Sequence, residues 1–237
     1  MNKEPFFSIV IPTYNEEDCL PRLLEDLVEQ KEKSFEVIVV DGNSTDKTPE
    51  IVQSFTGRFN IQLILSQKSN VSYQRNTGAK SASGRYLVFF DADVQLPKRF
   101  LQLLKQEILR SPSDYITTYG RADSRVIYDV ILARFFNILM DISKFIDKPC
   151  VMGFNFIINK SVFEKAKGFR EDVLHGEDFE LAERLFRMGF SLKIFKHPRI
   201  IFSFRRYRQE GRSKVMRKNA QAAIYSITNG PITILQF

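Results

Sequence analysis

The chain has 237 residues, 43% of them hydrophobic, with 22 Phe and no Trp, enough apolar material for one large α/β domain, with or without an appendage. Its two cysteines, Cys19 and Cys150, fall in no CxxC or Cys/His spacing, which argues against structural zinc and a disulfide framework and for a reducing compartment. The formal charge is +7, but the excess sits in one late segment, which argues against a broadly basic nucleic-acid-binding surface.

The opening residues 1–6 lack the long apolar core of a signal peptide, and no stretch has the continuous apolar character of a membrane span. The expectation is a soluble cytoplasmic protein, or one attached peripherally to the cytoplasmic face of a membrane. Residues 7–11 form a β-branched apolar run ended by Pro12, a buried-strand signal. A helix follows, with Pro21 in its first turn and Leu20, Leu23, Leu24, Leu27 and Val28 on one stripe. Residues 35–40 read as a second strand ending at Asp41, residues 48–55 as a short helix, and residues 61–65 as a third strand. A helix over 72–82 stops at Ser83-Gly84 and leads into a fourth strand, 86–90, which ends in Asp91-Ala92-Asp93. Four strand-then-helix units in a row imply a parallel sheet with right-handed crossovers.

After Asp93 the alternation breaks down. Residues 97–109 read as an amphipathic helix and 115–119 as a strand. Residues 124–146 are strongly apolar but carry Asp129, Arg134, Asp141 and Lys144, so they read as one or two helices lying on a surface. Residues 151–158 and 191–195 are strand-like, and 177–188 form a helix closed by Gly189. Between Arg205 and Lys218 stand seven basic residues and one acid, Glu210; the rest of the chain is nearly neutral. The tail, 219–237, has no charged residue.

In an extended chain residues i and i+2 point the same way, so Asp91 and Asp93 can share one target. At the carboxyl end of a parallel strand, two such carboxylates suit a hard cation, Mg²⁺ or Mn²⁺, that grips phosphate. The other reading is a solvated turn. Pro12, Tyr14, Glu16 and Asp41 end neighbouring strands, where Tyr14 could pack on a base and Asp41 accept a base N–H. No Gly-x-Gly-x-x-Gly and no phosphate-loop Gly-Lys-Ser/Thr occurs, which weakens the dinucleotide and ATPase readings.

Several of these stretches carry a resemblance. Residues 8–17 (SIVIPTYNEE), 39–46 (VVDGNSTD), 74–79 (QRNTGA), Asp91-Ala92-Asp93 and 176–181 (GEDFEL) resemble, in order, the motifs of family 2 glycosyltransferases with the GT-A fold. The resemblance spans roughly residues 7–204. It implies a mostly parallel Rossmann-like sheet flanked by helices, with a mixed C-terminal half. The implied domain is residues 1–204, donor half about 1–95 and acceptor half about 96–204, followed by the basic segment and tail, 205–237. The implied reaction is metal-dependent, inverting transfer from a UDP- or GDP-sugar to an acceptor hydroxyl on a glycan or a lipid-linked molecule. By the same resemblance Asp41 binds the base beside Pro12 and Tyr14, Arg75 lies near the diphosphate, and Asp91 faces ribose and metal. Asp93 ligates the metal and Asp178 is the catalytic base. His197 stands where some relatives supply a late metal ligand. Gly42 departs from the pattern, because many members carry a second Asp there.

The chemistry is coherent in its own terms. A departing diphosphate needs its negative charge stabilised, and the acceptor hydroxyl needs a carboxylate base on the opposite face of the sugar. Asp178 has a second reading as an acid at a helix N-terminus, a setting that lowers a carboxylate's pKa. The basic segment has three readings. It is a mobile loop whose arginines, Arg206 among them, close over the diphosphate; a patch on anionic lipid, helped by the tail; or a solvated basic face. Two other functions fit the layout: a sugar-1-phosphate nucleotidyltransferase, whose Gly-rich, Arg-containing opening loop is absent after Ile11, and a non-catalytic membrane adaptor.

Overall fold

The four apolar runs that open the chain are strands in the computed structural model, which describes residues 4–143, 149, 151–215, 217, 218, 221 and 233. They are β1 (Phe7–Thr13), β2 (Phe35–Asp41), β3 (Ile61–Leu65) and β4 (Tyr86–Phe90), all paired in parallel. The crossovers are α1 (Leu20–Val28), α2 (Thr48–Ser54) and α3 (Val71–Ser81). Successive strand residues face opposite sides, so Ile9, Ile11, Val37, Val39 and Val88 pack under α1, whose Leu20, Leu23, Leu24 and Leu27 are fully buried. Val10, Ile38, Val40, Leu87 and Phe89 form the other layer, with Ala79 of α3. Each fully buried leucine contributes about 1.5–3 kcal/mol.

Pro12 does not end β1 as expected. The Thr13 carbonyl accepts from Gly42 N at 2.8 Å on the β2 side, so alternation turns the Pro12 nitrogen towards β4. Pairing with β4 stops at Val10↔Phe89, and the missing N–H therefore breaks no ladder bond.

Beyond β4 come α4 (Phe100–Arg110), β5 (Tyr115–Ala122), α5 (Ile127–Ser143), β6 (Asn155–Asn159), α6 (Lys160–Lys165), α7 (Glu177–Arg187), β7 (Leu192–Phe202) and α8 (Arg205–Glu210). The seven-stranded sheet has the order β3-β2-β1-β4-β6-β5-β7. β6 runs antiparallel to both β4 and β5, and β5 is parallel to β7. One reversed strand thus makes the second half mixed. β7 runs well past the expected residues 191–195, because a register shift between Thr118 and Gly120 breaks the period-2 pattern that would announce it. α6 was not expected; the Asn159 side chain caps it, accepting from Ser161 N at 3.0 Å. The basic segment starts as helix α8 rather than as a loop. Cys150, Lys144 and the uncharged tail, apart from residues 221 and 233, lie outside the described residues.

The strand order reverses at β1, with β2 and β3 to one side and β4 to the other. A crevice opens at such a switch point, between the carboxyl ends of β1 and β4.

Candidate active site

The crevice is a cleft of about 300 Å³. The end of β1 lines it with Pro12, Thr13, Tyr14 and Glu16, the end of β4 with Asp91, Ala92 and Asp93, and α3 with Val71 and Gln74. That volume is at the lower end of small-molecule sites, about 300–1,000 Å³. Tyr14 is exposed, its ring available for stacking. Gln74 was missed in the sequence as a wall residue. It is buried, and its Nε2 donates to the Thr13 and Val40 carbonyls at 2.8 Å each, clamping β1 to β2. The only signal for it was a polar residue on the inward face of α3. The same amide lies 3.0 Å from where a Cβ on Gly42 would stand, so this chain has little room for a side chain there.

Three acids crowd the cleft. Asp93 is pushed up to about 6, by burial first and then by the charges of Asp91 and Glu16, with Arg205 opposing. Burial also raises Glu16, against the pull of Arg205, whose Nη2 lies 3.0 Å from Glu16 Oε2. Asp91 Oδ1 accepts from Arg75 Nη2 at 2.9 Å. Asp41 is fully buried: Oδ1 accepts from Thr13 Oγ1 at 3.1 Å and Ser44 Oγ at 2.5 Å, and Oδ2 from Ser44 N at 2.9 Å. It braces the loop beside the cleft and is not among the lining residues.

Arg75 is buried beneath the cleft wall. Besides Asp91, its guanidinium donates from Nη1 to Glu177 Oε1 at 2.6 Å and from Nη2 to the Gly153 carbonyl at 3.3 Å. The carboxylates of Asp91, Glu177 and Asp178 hold it cationic against burial. It therefore ties the end of β4 to the first turn of α7. Asp178, next to Glu177 on that turn, is buried and accepts from Phe179 N at 2.9 Å. A Cβ on Gly153 would stand 2.9 Å from Asp178 Oδ2, so only glycine admits the carboxylate there. The expected lowering of the Asp178 pKa by the helix N-terminus is reversed. Burial raises it, helped by the Glu177 charge and opposed by Arg75.

Besides Asp41, Arg75 and Asp178, two further candidates, Arg206 and His197, are not among the residues that line the cleft. Arg206 pairs with Glu210 one turn along α8, at 2.9 Å, and is exposed. His197 is exposed on β7. Among the described residues no cluster of three or more His, Cys, Asp or Glu could hold a metal alone. Asp91 and Asp93 nevertheless offer hard oxygen ligands, and the charge crowding at Asp93 is what a bound divalent cation would relieve.

The sequence pattern of glycosyl transferase family 2 matches residues 8–166. The chain belongs to that family. It is 27% identical over 220 residues to the dolichyl N-acetyl-α-D-glucosaminyl phosphate 3-β-D-2,3-diacetamido-2,3-dideoxy-β-D-glucuronosyltransferase of Methanococcus voltae, a match covering 84% of this chain and 66% of that protein. It is 30% identical over 202 residues to glycosyltransferase AglE of Haloferax volcanii, covering 79% of this chain and 64% of the other. The chain thus spans about two thirds of these relatives' length. Among solved structures, mannosyltransferase PcManGT of Pyrobaculum calidifontis, in complex with GDP-Man and Mn²⁺, superposes with a TM-score of 0.70 at 24% identity, covering 84% of this chain and 57% of that one. TarS of S. aureus with UDP-GlcNAc gives 0.67 at 21% identity, covering 84% and 58%. The fold is that of the GT-A glycosyltransferases.

Proposed function

We propose that this chain is an inverting glycosyltransferase that moves a sugar from a UDP- or GDP-sugar to an acceptor hydroxyl. One observation carries the reading: a single buried guanidinium, Arg75, bonds Asp91 at the cleft and Glu177 beside Asp178. Donor-side and acceptor-side acids are thereby held in fixed relation.

Tyr14 stacks on the base, Asp41 acts from behind the wall by bracing the loop at Thr13 and Ser44 beside the base, and Pro12 and Glu16 complete the wall. Asp91 serves the ribose, and Asp91 and Asp93 would hold Mg²⁺ or Mn²⁺, which when bound would supply Lewis-acid stabilisation of the leaving diphosphate. Asp178 takes the proton of the acceptor hydroxyl. The new bond forms at the anomeric carbon as the bond to the diphosphate oxygen breaks on the opposite face, which inverts the centre. A carboxylate raised towards neutrality by burial is a better base than one at its ordinary pKa. The donor classes are supported by the UDP-GlcNAc and GDP-Man complexes of the structural neighbours, and a lipid-linked acceptor by the dolichyl-phosphate name of the Methanococcus relative.

The test is calorimetric titration of UDP, GDP and their sugars with and without Mn²⁺. Asp93→Asn should abolish the metal-dependent part of binding, and intact metal dependence would remove Asp93 as the ligand. Asp178→Asn should keep donor affinity and lose turnover by about 10²–10⁴-fold. Normal turnover would remove it as the base.

A further inference from the structure

One side of α5 is left uncovered. Its inner side buries Leu132, Ala133, Asn137 and Met140, while Ile127, Ile131, Phe135, Ile138 and Ile142 are between 48% and 78% exposed. These five recur at the spacing of one helical face, a stripe running along about 25 Å. Arg134 is the one charged residue exposed on α5. The acids of the helix turn away: buried Asp129 pairs with Arg212 at 3.0 Å, and half-buried Asp141 accepts from the Tyr119 hydroxyl.

The basic segment is fastened beside this helix. Phe204 and Tyr207 pack with Leu132, Ala133 and Phe136, and the Arg212–Asp129 pair adds a second tie. Residues 121–143 and 205–218 together hold ten basic and four acidic residues, six of the seven net positive charges of the chain. All four acids are engaged: Asp123 with Arg208, Asp129 with Arg212, Asp141 with Tyr119, and Glu210 with Arg206 and Lys218. Arg125, Arg134, Lys214 and Arg217 are exposed and form no ion pair among the described residues.

We propose that α5 lies flat on an anionic lipid bilayer, its isoleucine and phenylalanine stripe at the headgroup–acyl boundary and the unpaired cations on the headgroups. An apolar helix face on a part of the molecule that also carries exposed, unpaired cations is the pattern of an interfacial helix. A second copy of the chain fits less well, because a two-fold contact would oppose Arg134 to a cationic rim with no exposed acid on α5 to meet it. Nor does α5 cross the bilayer. It has 17 residues, and no described helix is long and apolar enough to do so. The inference requires neither donor nor turnover, so it stands or falls separately from the transferase reading.

The experiment is co-sedimentation of the full chain with phosphatidylcholine vesicles, with and without phosphatidylglycerol. Binding to the anionic vesicles is expected, weakening as salt rises. Ile131→Glu with Ile138→Glu should reduce it at least about tenfold, since each change removes apolar contact and adds a like charge to the membrane's. Wild-type binding by that variant, or no binding of the native chain to anionic vesicles, overturns the proposal. So does concentration-dependent self-association that the double substitution abolishes, which would make the face an interface between copies. A second variant uses the absence of Trp from the chain. Ile138→Trp is expected to shift its emission to the blue on anionic vesicles; an unshifted spectrum sinks the idea even if the glutamate variant fails to fold.

Discussion

Replacing Arg75 by methionine tests whether the guanidinium holds the two halves of the site together. Methionine keeps the length and apolar character of the stem and removes the charge. The wild-type side chain is 2% exposed and bonded to Glu177 Oε1 at 2.6 Å and Asp91 Oδ1 at 2.9 Å. The two partners differ in their surroundings: the Glu177 side chain is 13% exposed and that of Asp91 43%. Stranding Glu177 therefore costs the price of breaking a buried pair, about 3–5 kcal/mol. The Asp91 share is screened by solvent and adds at most about 1 kcal/mol. Arg75 Nε is buried without a hydrogen-bond partner, and losing it returns part of that cost. The net expectation is a loss of about 3–4 kcal/mol, a thermal midpoint lower by about 10 °C, and a matching fall in urea midpoint. The double variant Arg75→Met, Glu177→Gln removes the stranded charge. It should recover at least about 1.5 kcal/mol relative to the sum of the single changes. A single variant within about 1 kcal/mol of wild type, the size of a surface pair, refutes the bridging role.

Gly153→Ala would set a Cβ 2.9 Å from Asp178 Oδ2 and force the carboxylate aside. Turnover should fall about tenfold or more while donor affinity, read by calorimetry, holds; unchanged turnover would show that the carboxylate's position does not matter. Asp178→Asn should also alter the pH dependence of stability. Burial raises the folded carboxyl to about 7, against about 3.9 in the unfolded chain. Between those values the folded chain holds a proton that the unfolded chain has released, so wild-type stability falls as pH rises through the interval. The Asn variant lacks that slope and should gain on wild type from about pH 4 to about pH 7 in thermal melts. Parallel curves would mean that Asp178 titrates normally. Leu24→Ala empties a fully buried site between α1 and the sheet, and should cost about 2–5 kcal/mol by urea unfolding. A cost below about 1 kcal/mol would mean that α1 does not pack there as described.

The donor half of the fold was legible because its signals are local. β1, β2 and β4 are covered on both faces, or nearly so, and read as mainly apolar runs with a helix after each, while the edge strand β3 is only partly buried. In the acceptor half α4, β5, α5, β6 and α7 fall on the expected stretches, but α6 and the length of β7 were not legible, because a strand owes its length to pairing with a distant partner. β7 carries Lys196, His197 and Arg199 within the strand, and its inside-out alternation is disturbed by the irregular pairing with β5. Side-chain roles divide the same way. That Asp91 and Asp93 share a place could be read from spacing two apart, and both line the cleft. The raised pKa of Asp178 could not, since the sequence reveals a helix end but not the depth at which it is buried. Arg75 read as a cation for a phosphate, and its ties to Glu177 and Gly153 depend on α7 and the residues just before β6 coming over it.

The arrangement of charge also separates the three acids of the cleft by their own surroundings, where the family resemblance separates them by role. Glu16 has Arg205, at 3.0 Å, brought from the far end of the chain. Asp91 has Arg75, at 2.9 Å, from α3. Asp93 has no cation within ion-pair distance among the described residues, yet it is the one most strongly raised by burial and by its two neighbours. A carboxylate desolvated among like charges and given no partner is costly to keep ionised. The protein puts a guanidinium in ion-pair contact with Glu16 and with Asp91, whereas Asp93 is reached by the pull of Arg205 without such a contact. An external cation relieves that position more than either neighbour, and a hard divalent ion with further oxygens from a diphosphate is the group that suits it. This asymmetry is what supports giving the metal first to Asp93 and leaving Asp91, already half committed to Arg75, to share itself with the ribose.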